Sequence, residues 1–236
     1  MESAAMNHGL DASTAVSELA LFERRLPVLL STVAGSVDVI GFLSFGLFTA
    51  HITGNLVVIA AVLVRGGPIN LPQVLAVPVF AAEVGAVWLI AKAWGRRGSA
   101  LTRPLLLIQV LMLVCVLTLS VIFNPAANRH GFIAVIIAMI AVAAMACQFA
   151  LLRLAVPGAP STAVMTGNLT NAMLSLLDRL SKRPLIDGAD ELLKKSLKDI
   201  VGFCAGCVAG ALAVSFLGPW AWSIPVALAG VAVILP

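Results

Sequence analysis

Apolar residues fill this chain in eight stretches, at about 26–47, 48–64, 72–91, 104–123, 131–152, 161–177, 200–217 and 219–235, here called segments A to H. Most have the length of about 20 mainly apolar residues that a helix needs to cross a bilayer. Turn chemistry separates them, at Arg65-Gly66-Gly67-Pro68, Gly95-Arg96-Arg97-Gly98, Asn124-Pro125, Val156-Pro157-Gly158 and Leu217-Gly218-Pro219. Segments B and F differ from the rest. Each is short, follows a Gly- or Pro-containing break, and opens with polar residues that a full spanning helix would have to bury.

An internal repeat bears on both. Thr53-Gly54-Asn55-Leu56 opens B and Thr166-Gly167-Asn168-Leu169 opens F at an offset of 113 residues, which also sets Thr49 on Thr162. In C, Phe80-Ala81-Ala82-Glu83 matches Phe203-Cys204-Ala205-Gly206 in G at an offset of 123, the difference being a longer charged loop in the second copy. The chain therefore reads as repeat one over 26–123 and repeat two over 131–236, within one membrane domain at 26–236.

Composition sets the solvent: 61% of residues are hydrophobic and 11% charged, where soluble domains have roughly 45–50% and 25%. Charges gather before residue 27 and between Asp178 and Asp199, and the mean hydropathy is +1.06. The net charge of +4 then belongs to loops facing the cytoplasm, and no nucleic acid is expected as a partner. The first 22 residues carry no Lys or Arg and no apolar run, unlike a cleavable signal peptide, so residues 1–25 are expected to form a mildly acidic, disordered cytoplasmic tail.

The 15 Lys and Arg residues choose between two topologies, both with the N-terminus inside. Eight spans leave ten basic residues inside and five outside; letting B and F enter and leave on one side puts thirteen inside, with only Arg65 and Arg129 outside. The second arrangement is favoured, with Arg96 and Lys182 cytoplasmic and Arg129 external. It also orients the two halves oppositely, the inverted-repeat plan of many secondary transporters.

Ala34-Gly35-Ser36-Val37-Asp38-Val39-Ile40-Gly41-Phe42, followed by His51-Ile52-Thr53-Gly54-Asn55, resembles the signature of the YoaK family of bacterial membrane proteins, a domain-of-unknown-function family. Val156-Pro157-Gly158 and the second Thr-Gly-Asn fit its latter half, over roughly residues 27–236. The resemblance implies a multi-span protein of about six helices and brings no established substrate or reaction. Gln148-Phe149 departs from it, where Gln-Asn is expected.

Three groups of residues are candidates for chemistry. Thr53, Gly54, Asn55, Thr166, Gly167 and Asn168 open two broken helices, whose free N–H groups and positive dipole ends at membrane depth suit an anion. The same residues can also serve only as caps and interhelical glue. Asp38, Glu83 and His51 are candidates for proton or ion coupling, since an intramembrane carboxylate costs about 2.5–3.5 kcal/mol on insertion scales and needs compensation. For Asp38 that compensation is sought in Ser31, Ser36 or the Thr-Gly-Asn turns, and for Glu83 in His51, because Lys92 lies about 13.5 Å further along a helix. Cys204-Ala205-Gly206-Cys207 has redox spacing but overlaps Gly202, Gly206 and Gly210, a stripe at four-residue intervals that reads as close helix packing.

The fold expected is all-α: a polytopic protein of the bacterial inner membrane with about six transmembrane helices plus two broken or re-entrant segments, eight full spans being the alternative. The function expected is a small secondary transporter or channel-like carrier for a small anionic solute, in a proton-coupled form through Asp38 or Glu83. The alternative is a non-transporting membrane scaffold or regulatory protein. No enzymatic activity, cofactor or metal site is expected, there being no phosphate loop, nucleophile–base pair or ligand cluster. The lipid bilayer is the expected partner, and small-residue stripes permit a homodimer without requiring one.

Overall fold

The computed structural model describes residues 25–156, 161–181 and 185–235; the N-terminal tail, the Val156-Pro157-Gly158 turn beyond Val156, and Lys182 lie outside them. The helices are α1 (Arg25–Phe45), α2 (Ile52–Arg65), α3 (Leu71–Trp94), α4 (Thr102–Phe123), α5 (Phe132–Ala155), α6 (Met165–Leu180), α7 (Ala189–Leu217) and α8 (Ser223–Ile234). No strand occurs among the described residues. Five helical stretches are long and apolar enough to cross a membrane, and the last, Ala189–Ile234, contains α7 and α8 joined by a 3₁₀ turn over Gly218–Trp222.

Two apolar clusters mark the ends of the bundle. One gathers Leu26 and Leu30 of α1 with Val87 and Ala91 of α3, Leu105 of α4, Leu151 and Ala155 of α5 and Ala232 of α8. The other gathers Ile40, Phe45, Ala76, Val116, Ala134, Ala138 and Trp222. Hence α1 and α4 run one way, while α3, α5 and α8 run the other. A Cβ on Gly202 would come within 2.8 Å of the Val28 carbonyl oxygen, and one on Gly210 within 2.8 Å of the Ser36 carbonyl oxygen, so α7 runs parallel to α1. Among the described residues α1, α3, α4, α5, α7 and α8 therefore alternate in direction along the chain. Because α1 and α5 open the two halves and point in opposite directions, the repeats are inverted.

Packing between the halves is reciprocal. The third helix of each half lies on the first helix of the other, α7 on α1 and α3 on α5. Gly206 would drive a Cβ into the Thr32 carbonyl oxygen, and its repeat counterpart Glu83 lies beside Cys147 of α5. The Gly202, Gly206, Gly210 stripe is thus used for packing inside the chain.

Solvent exposure confirms what surrounds the bundle. Helices α3 and α5 have similar hydropathy, 2.1 and 2.5, yet 17% of the α3 window is buried against 72% for α5. An apolar surface so exposed faces lipid. The half-helices α2 and α6 pack on α3 and α7 respectively, and α2 buries only Asn55.

Candidate functional site

Helix α1 ends where Gly46 takes a left-handed backbone (φ 72°) and donates its N–H to the Phe42 carbonyl at 2.9 Å. Two side chains from the start of α3 satisfy the carbonyls left over: Asn70 Nδ2 donates to Phe45 O at 2.9 Å and Gln73 Nε2 to Gly46 O at 2.8 Å. The chain then turns back along α1, so that α2 starts beside Asp38, the middle of α1.

Asp38, 4% exposed, organises this return. Its Oδ1 accepts from the Ala50 amide at 2.6 Å and from Thr49 Oγ1 at 3.2 Å, and its Oδ2 forms an ion pair with His51 Nδ1. The compensation comes from Thr49, Ala50 and His51, just ahead of the Thr-Gly-Asn motif. Ser36 instead bonds the Val33 carbonyl, and the Ser31 hydroxyl has no partner among the described residues. The His51 ring also lies against the Ala163 backbone in the second break, and its centroid is 5.6 Å from the Phe203 ring of α7. The two breaks therefore meet at His51, and the third helix of the second half closes over them.

The two Thr-Gly-Asn motifs are built alike. Asn55 accepts from the Phe48 amide at 2.9 Å and donates to the Phe48 carbonyl at 2.7 Å, while Asn168 donates to the Ser161 carbonyl at 2.8 Å. Phe48 and Ser161 are themselves 113 residues apart, so the repeat holds down to the bond. Both asparagines are buried, at 0% and 2% exposed, and their side chains are committed to the backbone of the preceding break. Thr53, Thr166 and Gly167 lie on exposed faces, with Gly54 half-buried against Phe48. Neither α2 nor α6 has a side-chain cap on its first turn.

In the second half, Gln148 takes the part of Asp38. Its amide donates to Thr162 Oγ1 at 3.0 Å and to Leu30 O of α1 at 3.0 Å, and accepts from Gln109 Nε2 at 2.7 Å. Thr162 is the repeat partner of Thr49, so each break is tied back to the middle of its own first helix. Gln109 and Gln148, polar residues within otherwise apolar segments D and E, were the available sequence signal. Phe149, the departure from the family pattern, packs edge-on against Phe80 at 5.7 Å.

Glu83 stands apart. It is half-buried on α3 and makes no hydrogen bond or ion pair among the described residues, since His51 is held by Asp38 and Lys92 sits 5.0 Å over the Trp88 ring. Cys204 is exposed and Cys207 half-buried, both free thiols. Among the described residues no three His, Cys, Asp or Glu converge as metal ligands.

No curated protein and no solved structure matches the chain. A family model does, described as "Protein of unknown function (DUF1275)", over residues 26–235, the same span as the membrane bundle. With its all-helical multi-pass fold, its two Thr-Gly-Asn breaks and this match, the chain belongs to the DUF1275 family of membrane proteins, which includes YoaK.

Proposed function

We propose that this protein is a small secondary transporter or channel-like carrier for a small anionic solute, with Asp38 and His51 as its coupling pair. The observation that carries this reading is the pair of buried Asp38 with half-buried His51 at the meeting point of the two broken segments. Its physics is that of a latch. Protonating Asp38, or removing the proton from His51, abolishes the ion pair that holds the first break against α1 and the second break against the first. Inverted repeats moving against one another around such a point are the usual means of alternating access.

No side chain caps the starts of α2 and α6, whose positive dipole ends favour an anion, and the exposed hydroxyls of Thr53 and Thr166 belong to the same first turns. Glu83 is the second acid able to take part. The end of the bundle bearing Arg25, Lys92, Arg96, Arg97, Arg103 and Arg153 faces the cytoplasm under the positive-inside rule, which sets the N-terminus inside in a bacterial inner membrane. One observation favours the other reading, a non-transporting scaffold: the amides of Asn55 and Asn168 are bonded to the chain itself.

Uptake by proteoliposomes across a panel of small anions, with an imposed proton gradient, tests the proposal. A carrier accumulates at least one solute in a gradient-dependent way that Asp38→Asn abolishes. Accumulation indifferent to Asp38→Asn, or none across the panel, refutes it.

A further inference from the structure

Helices α1 and α7 touch at Gly202, whose missing side chain lets the Val28 carbonyl approach, and beside that contact they leave a groove of about 300 Å³. Val28 of α1 lines it with Leu197, Lys198, Val201, Gly202 and Ala205 of α7, and its wall exposes only apolar atoms. Lys198 therefore contributes its aliphatic stem and keeps its ammonium outside. Leu197, Val201 and Ala205 are exposed, so the groove opens sideways to the lipid around the bundle.

The groove straddles a boundary in the sequence. From Ile200 to Leu217 α7 carries no charged residue, whereas Lys194, Lys195 and Lys198 come just before. Lys198 thus stands at headgroup level, and Ala205, seven residues on, lies about 10 Å deeper along the helix. A dry channel running from the headgroups into the hydrocarbon suits a molecule with one polar end and a long apolar body.

The free charge at its mouth is of one sign. Arg25 is exposed three residues ahead of Val28, and the parallel register set by Gly202 on Val28 and Gly206 on Thr32 puts it level with position 199 of α7. Lys194 is exposed one turn outward from Lys198. None of Arg25, Lys194 and Lys198 forms an ion pair among the described residues. The nearby acids are engaged or turned inward: Asp190 pairs with Arg179 at 3.6 Å, Glu191 with Lys195 at 3.4 Å, and Asp199 is only 1% exposed. Basic residues beside a cleft between spanning helices are complementary to a phosphate headgroup.

We propose that the α1–α7 groove binds one anionic phospholipid, its phosphate held by Lys198, Lys194 and Arg25 and an acyl chain lying along Val28, Val201 and Ala205. Repeat one has Leu75 and Leu71 where repeat two has Lys198 and Lys194, so the site belongs to one leaflet alone.

The test uses the purified full chain in detergent and needs no transport assay, so it stands or falls separately from the carrier reading. Phosphatidylglycerol and phosphatidylcholine with the same acyl chains are titrated in turn, and bound lipids are counted by native mass spectrometry. The first phosphatidylglycerol should bind at least about tenfold more tightly than phosphatidylcholine. Lys194→Ala combined with Lys198→Ala should weaken it about thirtyfold, at about fivefold per lysine. Ala205→Phe, at an exposed position, should fill the groove and remove this tight site, while Arg97→Ala, at the same end of the bundle in the α3–α4 loop, should leave it intact. Melting in lipid-free detergent checks that each variant is folded, and if Ala205→Phe is not, the lysine pair decides. Equal affinity for the two lipids, an equal loss in Arg97→Ala, or tight binding that survives Ala205→Phe would overturn the proposal. So would lipid-free dimers that Ala205→Phe abolishes, which would mean that a second copy of the chain occupies the groove.

Discussion

Replacing Asp38 separates its hydrogen-bonding role from its charge. Asp38→Leu removes the acceptor for the Ala50 amide, the Thr49 hydroxyl and the His51 ring together. Ala50 is 4% exposed, so its orphaned N–H has no water to turn to and costs about 1–3 kcal/mol. Thr49, fully buried, adds a smaller loss because a hydroxyl can rotate toward another acceptor. His51, with 35% of its side chain exposed, recovers part of its loss by hydration. The sum is about 3–6 kcal/mol for Asp38→Leu. Asp38→Asn keeps one carbonyl oxygen for Ala50 and Thr49 but loses the charge and turns the acceptor facing His51 into an NH2 donor, so it should cost about 1–2 kcal/mol. Thermal unfolding of the three proteins in one detergent should rank wild type above Asn and Asn well above Leu. A Leu variant as stable as the Asn variant would refute the assignment of Asp38 as the anchor of the first break.

Gly206→Ala should destabilise by about 1–3 kcal/mol or more, because its Cβ meets backbone of α1 that cannot rotate away, whereas Gly85→Ala, which meets open space, should be neutral or stabilising by up to about 1 kcal/mol; melting of the pair in parallel checks this. Asn55→Leu, which frees two backbone bonds at Phe48, should cost more than Asn168→Leu, which frees one at Ser161, the difference being about 1 kcal/mol in the same assay. Gln148→Leu should cost about 2–4 kcal/mol by stripping Thr162, Leu30 and Gln109 of a shared partner, and Gln109→Leu less, as Gln148 keeps its two other bonds.

The architecture was legible because lipid forces it: spans must be long and apolar, and basic residues must collect on one side. Two copies of Thr-Gly-Asn then marked the breaks, and the start of α2 and α6 at Ile52 and Met165 bears them out. Segment G was expected from residue 200, but α7 begins at Ala189, because a helix leaving the membrane continues through Asp190–Lys198 on i,i+4 pairing such as Glu191–Lys195. What hydropathy could not reveal was the path of the chain after Phe45. Only the return of residues 46–51 along α1 brings His51, thirteen positions away in sequence, onto Asp38. The same limit hid Phe203 and Ala163 as neighbours of His51, since contacts between inverted halves have no signature within either half. The small-residue stripe in G was readable as a packing surface, though not which helix it served; α1 is that helix.

The whole account rests on α2 and α6 being half-helices that return to the side from which they entered. Single cysteines at positions 25, 65 and 96, each replacing an exposed Arg in a chain otherwise free of cysteine, test this directly when labelled by an impermeant maleimide from either face of sealed vesicles. Positions 25 and 96 should label from one face and position 65 from the other, whichever way the protein is inserted. Labelling of 25 and 65 from the same face, with 96 on the opposite one, would mean that α2 crosses the membrane and would contradict the account.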